Sequence, residues 1–108
     1  MTDETLLRRL GVDDEAISAF CRKWHVAELA VFGSVLRDDF DDKSDVDILV
    51  SFEDGARIGL WDLMKMREEL AAIFKRDVDL LERPVVGRSR NYIRRAEILS
   101  SARVLYAA

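Results

Sequence analysis

The sequence predicts an α/β domain: a small mixed β-sheet with helices packed on one face. Three short segments have strand patterns: residues 29–32 are an apolar run, 45–50 begin with alternation and end in an apolar run, and 77–81 alternate. A segment with helical spacing separates the second from the third. With 108 residues, the chain has room for one domain of ordinary size and its own core. We therefore predict a single domain over residues 1–108 in which helices and strands alternate.

The N-terminal segment, residues 1–25, is predicted to be helical and to serve packing. Three leucines precede Gly11, which is typical of a short helix that ends at a glycine. A second helix follows, with Asp13 or Asp14 as its N-cap. Its apolar residues share one helix face: Ile17, Phe20, Cys21 and Trp24.

The core segment, residues 27–82, is predicted to hold the three strands and a long helix over residues 56–76. In that helix Trp61 and Met64 fit the buried stripe, so we predict that they belong to the core. An apolar shelf for adenine, formed with Met66, is the alternative.

An arginine-rich helix and tail, residues 88–108, are predicted at the C-terminus. Residues 90–100 have helical spacing, and residues 103–106 form a short terminal strand or a docked tail. The arginines of this segment contact a partner or a nucleotide, or they form a solvated helix face. They are Arg88, Arg90, Arg94 and Arg95.

Charge and composition narrow the function. The net charge is -4, with 11 basic against 20 acidic residues in 1–82 and 6 against 1 in 83–108. Because proteins that grip nucleic acid usually carry a basic excess, we expect no direct nucleic-acid binding. No apolar run approaches the roughly 18 residues of a membrane span, and a lone Cys21 suits a reducing compartment. We expect a cytoplasmic protein.

Paired aspartates open the second predicted strand. Residues two apart on a strand share a face, so Asp45 and Asp47 lie together. Close carboxylates tolerate each other best around a hard cation such as Mg²⁺. A third acid on a neighbouring strand would complete a site for two ions ~4 Å apart, as in nucleotidyl transfer. Asp79 is the preferred candidate and Asp77, one pleat earlier, is its rival.

A turn that follows the first strand predicts a phosphate site. Gly33 lets the backbone approach an anion closely, and Ser34 adds a hydroxyl donor. Arg37 lies three residues further on, within reach of a triphosphate oxygen.

Together, Gly33-Ser34, ten intervening residues and Asp45-Val46-Asp47, each after or within an apolar run, resemble the signature of the DNA polymerase β-like nucleotidyltransferases. Over about residues 12–106 the chain is similar to the minimal nucleotidyltransferases (MNT), the antitoxins that accompany HEPN-domain toxins. The resemblance implies the palm fold of that superfamily, with residues 27–82 as its catalytic core. The turn differs from the family pattern at Val35 and Asp38, which predicts weaker phosphate binding.

By position, the resemblance implies that Gly33 and Ser34 hold the triphosphate of ATP, and that Asp45 and Asp47 bind the catalytic Mg²⁺ ions. It implies that Asp79 is the third ligand and helps to deprotonate the attacking hydroxyl. The implied reaction transfers AMP from ATP to a tyrosine of the HEPN toxin, which neutralises the toxin. Two alternatives are neutralisation by occlusion with little catalysis, and transfer to a small molecule or to RNA.

Overall fold

The computed structural model of the protein describes residues 8, 10–33, 45–83, 96 and 101–108. These residues include two long helices and a four-stranded sheet. The helices are α1 (Asp14–Lys23) and α2 (Leu60–Phe74); the strands are β1 (Val26–Phe32), β2 (Val46–Phe52), β3 (Val78–Glu82) and β4 (Arg103–Ala107). Within the described ranges, every helix is too short or too polar to cross a lipid bilayer.

The sheet is mixed, in the order β3-β2-β1-β4. Strand β1 is antiparallel to both of its neighbours, whereas β2 and β3 are parallel. Parallel neighbours need a long crossover, and α2 provides it. The C-terminal residues form a true edge strand, β4, which settles the choice between a strand and a docked tail. The predicted mixed sheet is therefore confirmed.

Helix α1 begins as the sequence predicted. Of the two predicted caps, Asp13 is the N-cap, and its Oδ1 accepts a hydrogen bond from Glu15 N–H at 3.1 Å. The helix buries Ile17, Phe20 and Cys21 in the main core. Glu69 ties its C-terminal end to α2, because one carboxylate oxygen accepts from Trp24 Nε1–H at 3.1 Å.

Helix α2 buries a narrower stripe than predicted, which corrects the assignment of Trp61 and Met64 to the core. Trp61 is 76% exposed and Met64 is 49% exposed. The stripe that packs on the core follows one helix face: Leu63, Met66, Leu70 and Phe74. At 100° per residue, Met64 points about 100° away from Leu63 and Trp61 points to the opposite side.

The two faces of the sheet differ, and the difference positions the candidate site. Both helices pack on one face, against alternate strand residues that include Leu29, Val31, Val46, Ile48 and Val50. The other face has a second, smaller apolar cluster: Ala30, Phe32 and Leu49, with Leu81 and Ala102 against it. Within the described residues, neither α1 nor α2 therefore packs on this second face.

Candidate active site

Two aspartates on neighbouring strands form the centre of the candidate site. In the parallel pairing of β2 with β3, Asp47 is the partner of Asp79. Paired strands lie about 4.8 Å apart, and residues in register point to the same side of a sheet. The pairing of Asp47 with Phe32 of β1 shows which side this is, because Phe32 belongs to the second apolar cluster. The two carboxylates thus lie on the face away from the helices.

Asp45 and Asp77 lie one pleat earlier, at the mouth of these strands. Asp45 immediately precedes β2 and is exposed, and the alternation of the strand places it on the same face as Asp47. Asp77 precedes β3, and its carbonyl oxygen accepts a hydrogen bond from Val46 N–H at 3.0 Å. Asp77 therefore lies level with Asp45, while Asp79 lies level with Asp47.

Gly33 lies directly against Asp47. It follows Phe32 at the end of β1 and has a left-handed backbone conformation, with φ of 73°. A Cβ added to Gly33 would overlap Asp47 Oδ2 and would lie 3.3 Å from Asp47 Cγ. The sequence analysis assigned Gly33 to phosphate binding and missed this contact, since no local pattern links residues 14 positions apart.

Several predicted site residues fall outside the described part of the chain. This set includes Ser34, which follows Gly33 directly, and Arg37, as well as Val35 and Asp38. The four arginines predicted to contact a partner or a nucleotide are also outside it: Arg88, Arg90, Arg94 and Arg95. Their roles stay predictions.

Metal binding fits the donor chemistry of this face. Carboxylates that lie close together repel, and oxygen ligands suit Mg²⁺. Among the described residues, no three His, Cys, Asp or Glu side chains converge closely enough to hold a metal ion. The strands thus align Asp47 with Asp79 and place Asp45 next to them, but the three side chains do not form a closed ligand set. The fit is one of backbone position and donor type.

A polar depression lies far from these aspartates. An open depression of about 400 Å³ lies where β1 begins and β2 ends, between His25 and Arg57. Asp47 is at the opposite end of β2, roughly 20 Å away at 3.3 Å per residue. Trp61 lies at the start of α2, which follows the end of β2 that is distant from Asp47. This position argues against an adenine shelf beside the carboxylates.

The buried thiol of Cys21 is a poor nucleophile, because burial raises its pKa to about 12.

Comparisons with known sequences agree with this geometry. The sequence pattern of the nucleotidyltransferase domain family matches residues 14–104. A protein of Methanocaldococcus jannaschii, provisionally named a protein adenylyltransferase, is 37% identical over 59 residues. The match covers 55% of this chain and 61% of that protein, so it spans about three fifths of the relative's length.

Two solved structures share the fold. One, described provisionally as a minimal nucleotidyltransferase, is 30% identical, with a TM-score of 0.64 and 95% of each chain covered. The other is a toxin-antitoxin structure with AMP-PNP, which is 19% identical, with a TM-score of 0.66 and coverage of 90% of this chain and 75% of that one. The carboxylate pair, the mixed sheet and a family pattern over residues 14–104 lead to one conclusion: the chain belongs to the nucleotidyltransferase domain family.

Proposed function

We propose that this chain is a cytoplasmic, Mg²⁺-dependent antitoxin that transfers AMP from ATP to a tyrosine of a HEPN-domain toxin and so neutralises it. The observation that carries the proposal is the in-register pairing of Asp47 with Asp79 beside Gly33. Family membership supports nucleotidyl transfer. The name of the M. jannaschii relative supports a protein acceptor, and the toxin-antitoxin structure with AMP-PNP supports both ATP and a toxin partner.

Each site residue has a role in this proposal. Asp45, Asp47 and Asp79 would hold two Mg²⁺ ions, which when bound supply positive charge to the triphosphate and to the attacking oxygen. Asp79 is exposed and can also accept the proton of the tyrosine hydroxyl. The tyrosine oxygen would form a bond to the α-phosphorus of ATP, while the bond between the α-phosphorus and the pyrophosphate oxygen breaks.

The turn after β1 would orient the nucleotide. Gly33 permits close approach of the triphosphate to the backbone, and Ser34 offers an additional donor. Arg37 would contact a phosphate oxygen and offset its charge. These interactions would place the α-phosphate over the carboxylates, so that the tyrosine oxygen and the departing pyrophosphate could lie in line.

A labelling experiment tests the proposal. The chain is incubated with Mg²⁺ and a candidate HEPN-domain partner, in parallel with ATP labelled at the α- or at the γ-phosphate. We expect label on the partner only from α-labelled ATP, together with a gain of one AMP in its intact mass. Label from γ-labelled ATP would mean phosphoryl transfer and would contradict the proposal.

Three variants sharpen the test. Asp47→Asn and Asp79→Asn should abolish transfer of AMP, because each replaces one of the two paired carboxylate ligands by a neutral amide. Asp77→Asn is the matched control, since it makes the same change two residues before Asp79, just ahead of β3, and it should retain most activity. Toxin that stays neutralised by the inactive variants would favour occlusion. Label on RNA or on a small molecule, with none on the partner, would favour the other acceptors.

A further inference from the structure

We infer that Gly33 is a positioning residue for Asp47: by lacking a side chain, it leaves the space in which the Asp47 carboxylate is held as a metal ligand. This inference rests on the proposed function, because it takes Asp47 to be a ligand. It adds a role for Gly33 that is separate from any contact with phosphate. The partner of Gly33 in this role is a side chain of the same molecule.

Backbone geometry supports the inference first. The pairing of Phe32 with Asp47 brings the end of β1 level with the carboxylate row. The next residue, Gly33, turns with φ of 73°, and this turn places its Cα where an added Cβ would overlap Asp47 Oδ2. Any other amino acid at this position therefore competes with the carboxylate for one volume.

The side chain of Asp47 would yield to that competition. The overlapping atom belongs to the end of a side chain, which can rotate, whereas the backbone of β2 is held on both sides by β1 and β3. A substitution at Gly33 should thus leave the sheet in place and displace the carboxylate. Displacement of a ligand by about 1 Å is enough to weaken a preorganised site.

Burial singles out Asp47 among the three predicted ligands. Asp47 is half-buried, while Asp45 and Asp79 are exposed. An exposed carboxylate such as that of Asp79 has more room to adjust its rotamer to an arriving ion. Asp47 is packed against Gly33 and has less freedom, so its position determines where the ion can bind.

Two other glycines provide matched controls. Gly11 and Gly55 also have positive φ angles, of 68° and 85°. Among the residues that the structure describes, an added Cβ meets no atom within 4 Å at either of these positions. Alanine at any of the three glycines adds similar backbone strain, but only alanine at Gly33 also meets the Asp47 carboxylate.

The test measures Mn²⁺ affinity by electron paramagnetic resonance, with no nucleotide present, in the wild type and in the three glycine-to-alanine variants. We expect Gly33→Ala to bind Mn²⁺ at least ~10-fold more weakly, the usual effect of disturbing the support of a metal ligand. Gly11→Ala and Gly55→Ala should bind as the wild type does. Equal Mn²⁺ affinity in all four proteins would overturn the inference. It would also be overturned if Gly33→Ala bound Mn²⁺ normally and only its affinity for ATP, measured in EDTA, were reduced.

A second pair of variants covers the case in which Gly33→Ala does not fold. Asp47→Glu keeps the charge but pushes a longer side chain against Gly33, whereas Asp54→Glu makes the same change at an exposed position beyond the far end of β2. Only Asp47→Glu should lose Mn²⁺ affinity, and equal losses would overturn the inference. Asp47→Asn tests whether Asp47 is a metal ligand at all. If this variant binds Mn²⁺ like the wild type, the metal assignment in the proposed function fails, and the inference fails with it.

Discussion

Replacement of Asp79 by asparagine should stabilise the metal-free protein while removing its response to Mg²⁺. The reason is the pairing of Asp79 with Asp47 on adjacent parallel strands. Without a cation these carboxylates repel each other, and the asparagine side chain has nearly the same shape without the charge. Active sites often retain groups that lower stability because activity needs them, so removal of one such group is expected to raise stability.

The spacing of the strands determines how strongly the carboxylates of Asp47 and Asp79 repel each other. Two unit charges about 5 Å apart repel by about 0.8 kcal/mol in water and by about 3.3 kcal/mol at an effective dielectric constant of 20. Asp79 is exposed and Asp47 is half-buried, so a value near the lower limit applies. We expect a gain of about 1 kcal/mol in the free energy of unfolding, or roughly 4–8 °C in Tm for a domain of this size.

The assay is thermal and urea unfolding of both proteins, in EDTA and in Mg²⁺. If Mg²⁺ is present at about ten times its Kd, it should stabilise the wild type by about 1.4 kcal/mol and the variant hardly at all, so the order of stability reverses. Lower stability of Asp79→Asn in EDTA would refute the reasoning, since it would mean that Asp79 makes a net favourable contact. Asp54→Asn, beyond the far end of β2, is the control for net charge and should change stability by less than about 0.5 kcal/mol.

Three further predictions concern the fold. Trp61→Ala should lower the free energy of unfolding by less than about 0.5 kcal/mol because Trp61 is exposed, whereas Leu70→Ala should cost about 2–5 kcal/mol; similar urea midpoints for both would contradict this. Glu69→Ala should cost about 1 kcal/mol and change the fluorescence of Trp24, whose indole N–H it leaves without its acceptor; an unchanged spectrum would exclude that hydrogen bond in solution. Burial raises the pKa of Cys21 from 9.0 to about 12, so above pH 9 the unfolded chain releases a proton that the folded chain keeps. Stability should therefore fall by up to about 1.4 kcal/mol per pH unit between pH 9 and 12, and Cys21→Ala should lack this component in alkaline unfolding curves; equal pH slopes would contradict it.

Local patterns predicted much of the fold correctly. The N-cap at Asp13, the burial of Cys21 and the strands β1, β2 and β3 follow from short-range rules of capping and alternation. The boundaries were less accurate: β1 begins at Val26 instead of residue 29, and α2 covers Leu60–Phe74 instead of residues 56–76. Element ends depend on tertiary contacts and caps, which the periodicity of a segment does not encode.

By itself, the sequence determined which side chains could do the chemistry. Alternation places Asp45 and Asp47 on one face wherever their strand lies, and this follows from the two-residue period of the backbone. Only the tertiary structure decided that Asp47 is level with Asp79, that Gly33 packs on the Asp47 carboxylate, and that Trp61 faces outward. Register between strands depends on how the crossover helix packs, and the rotation of that helix decides which of its residues reach the core. Both are properties of the assembled layers, so no single segment of the chain contains them.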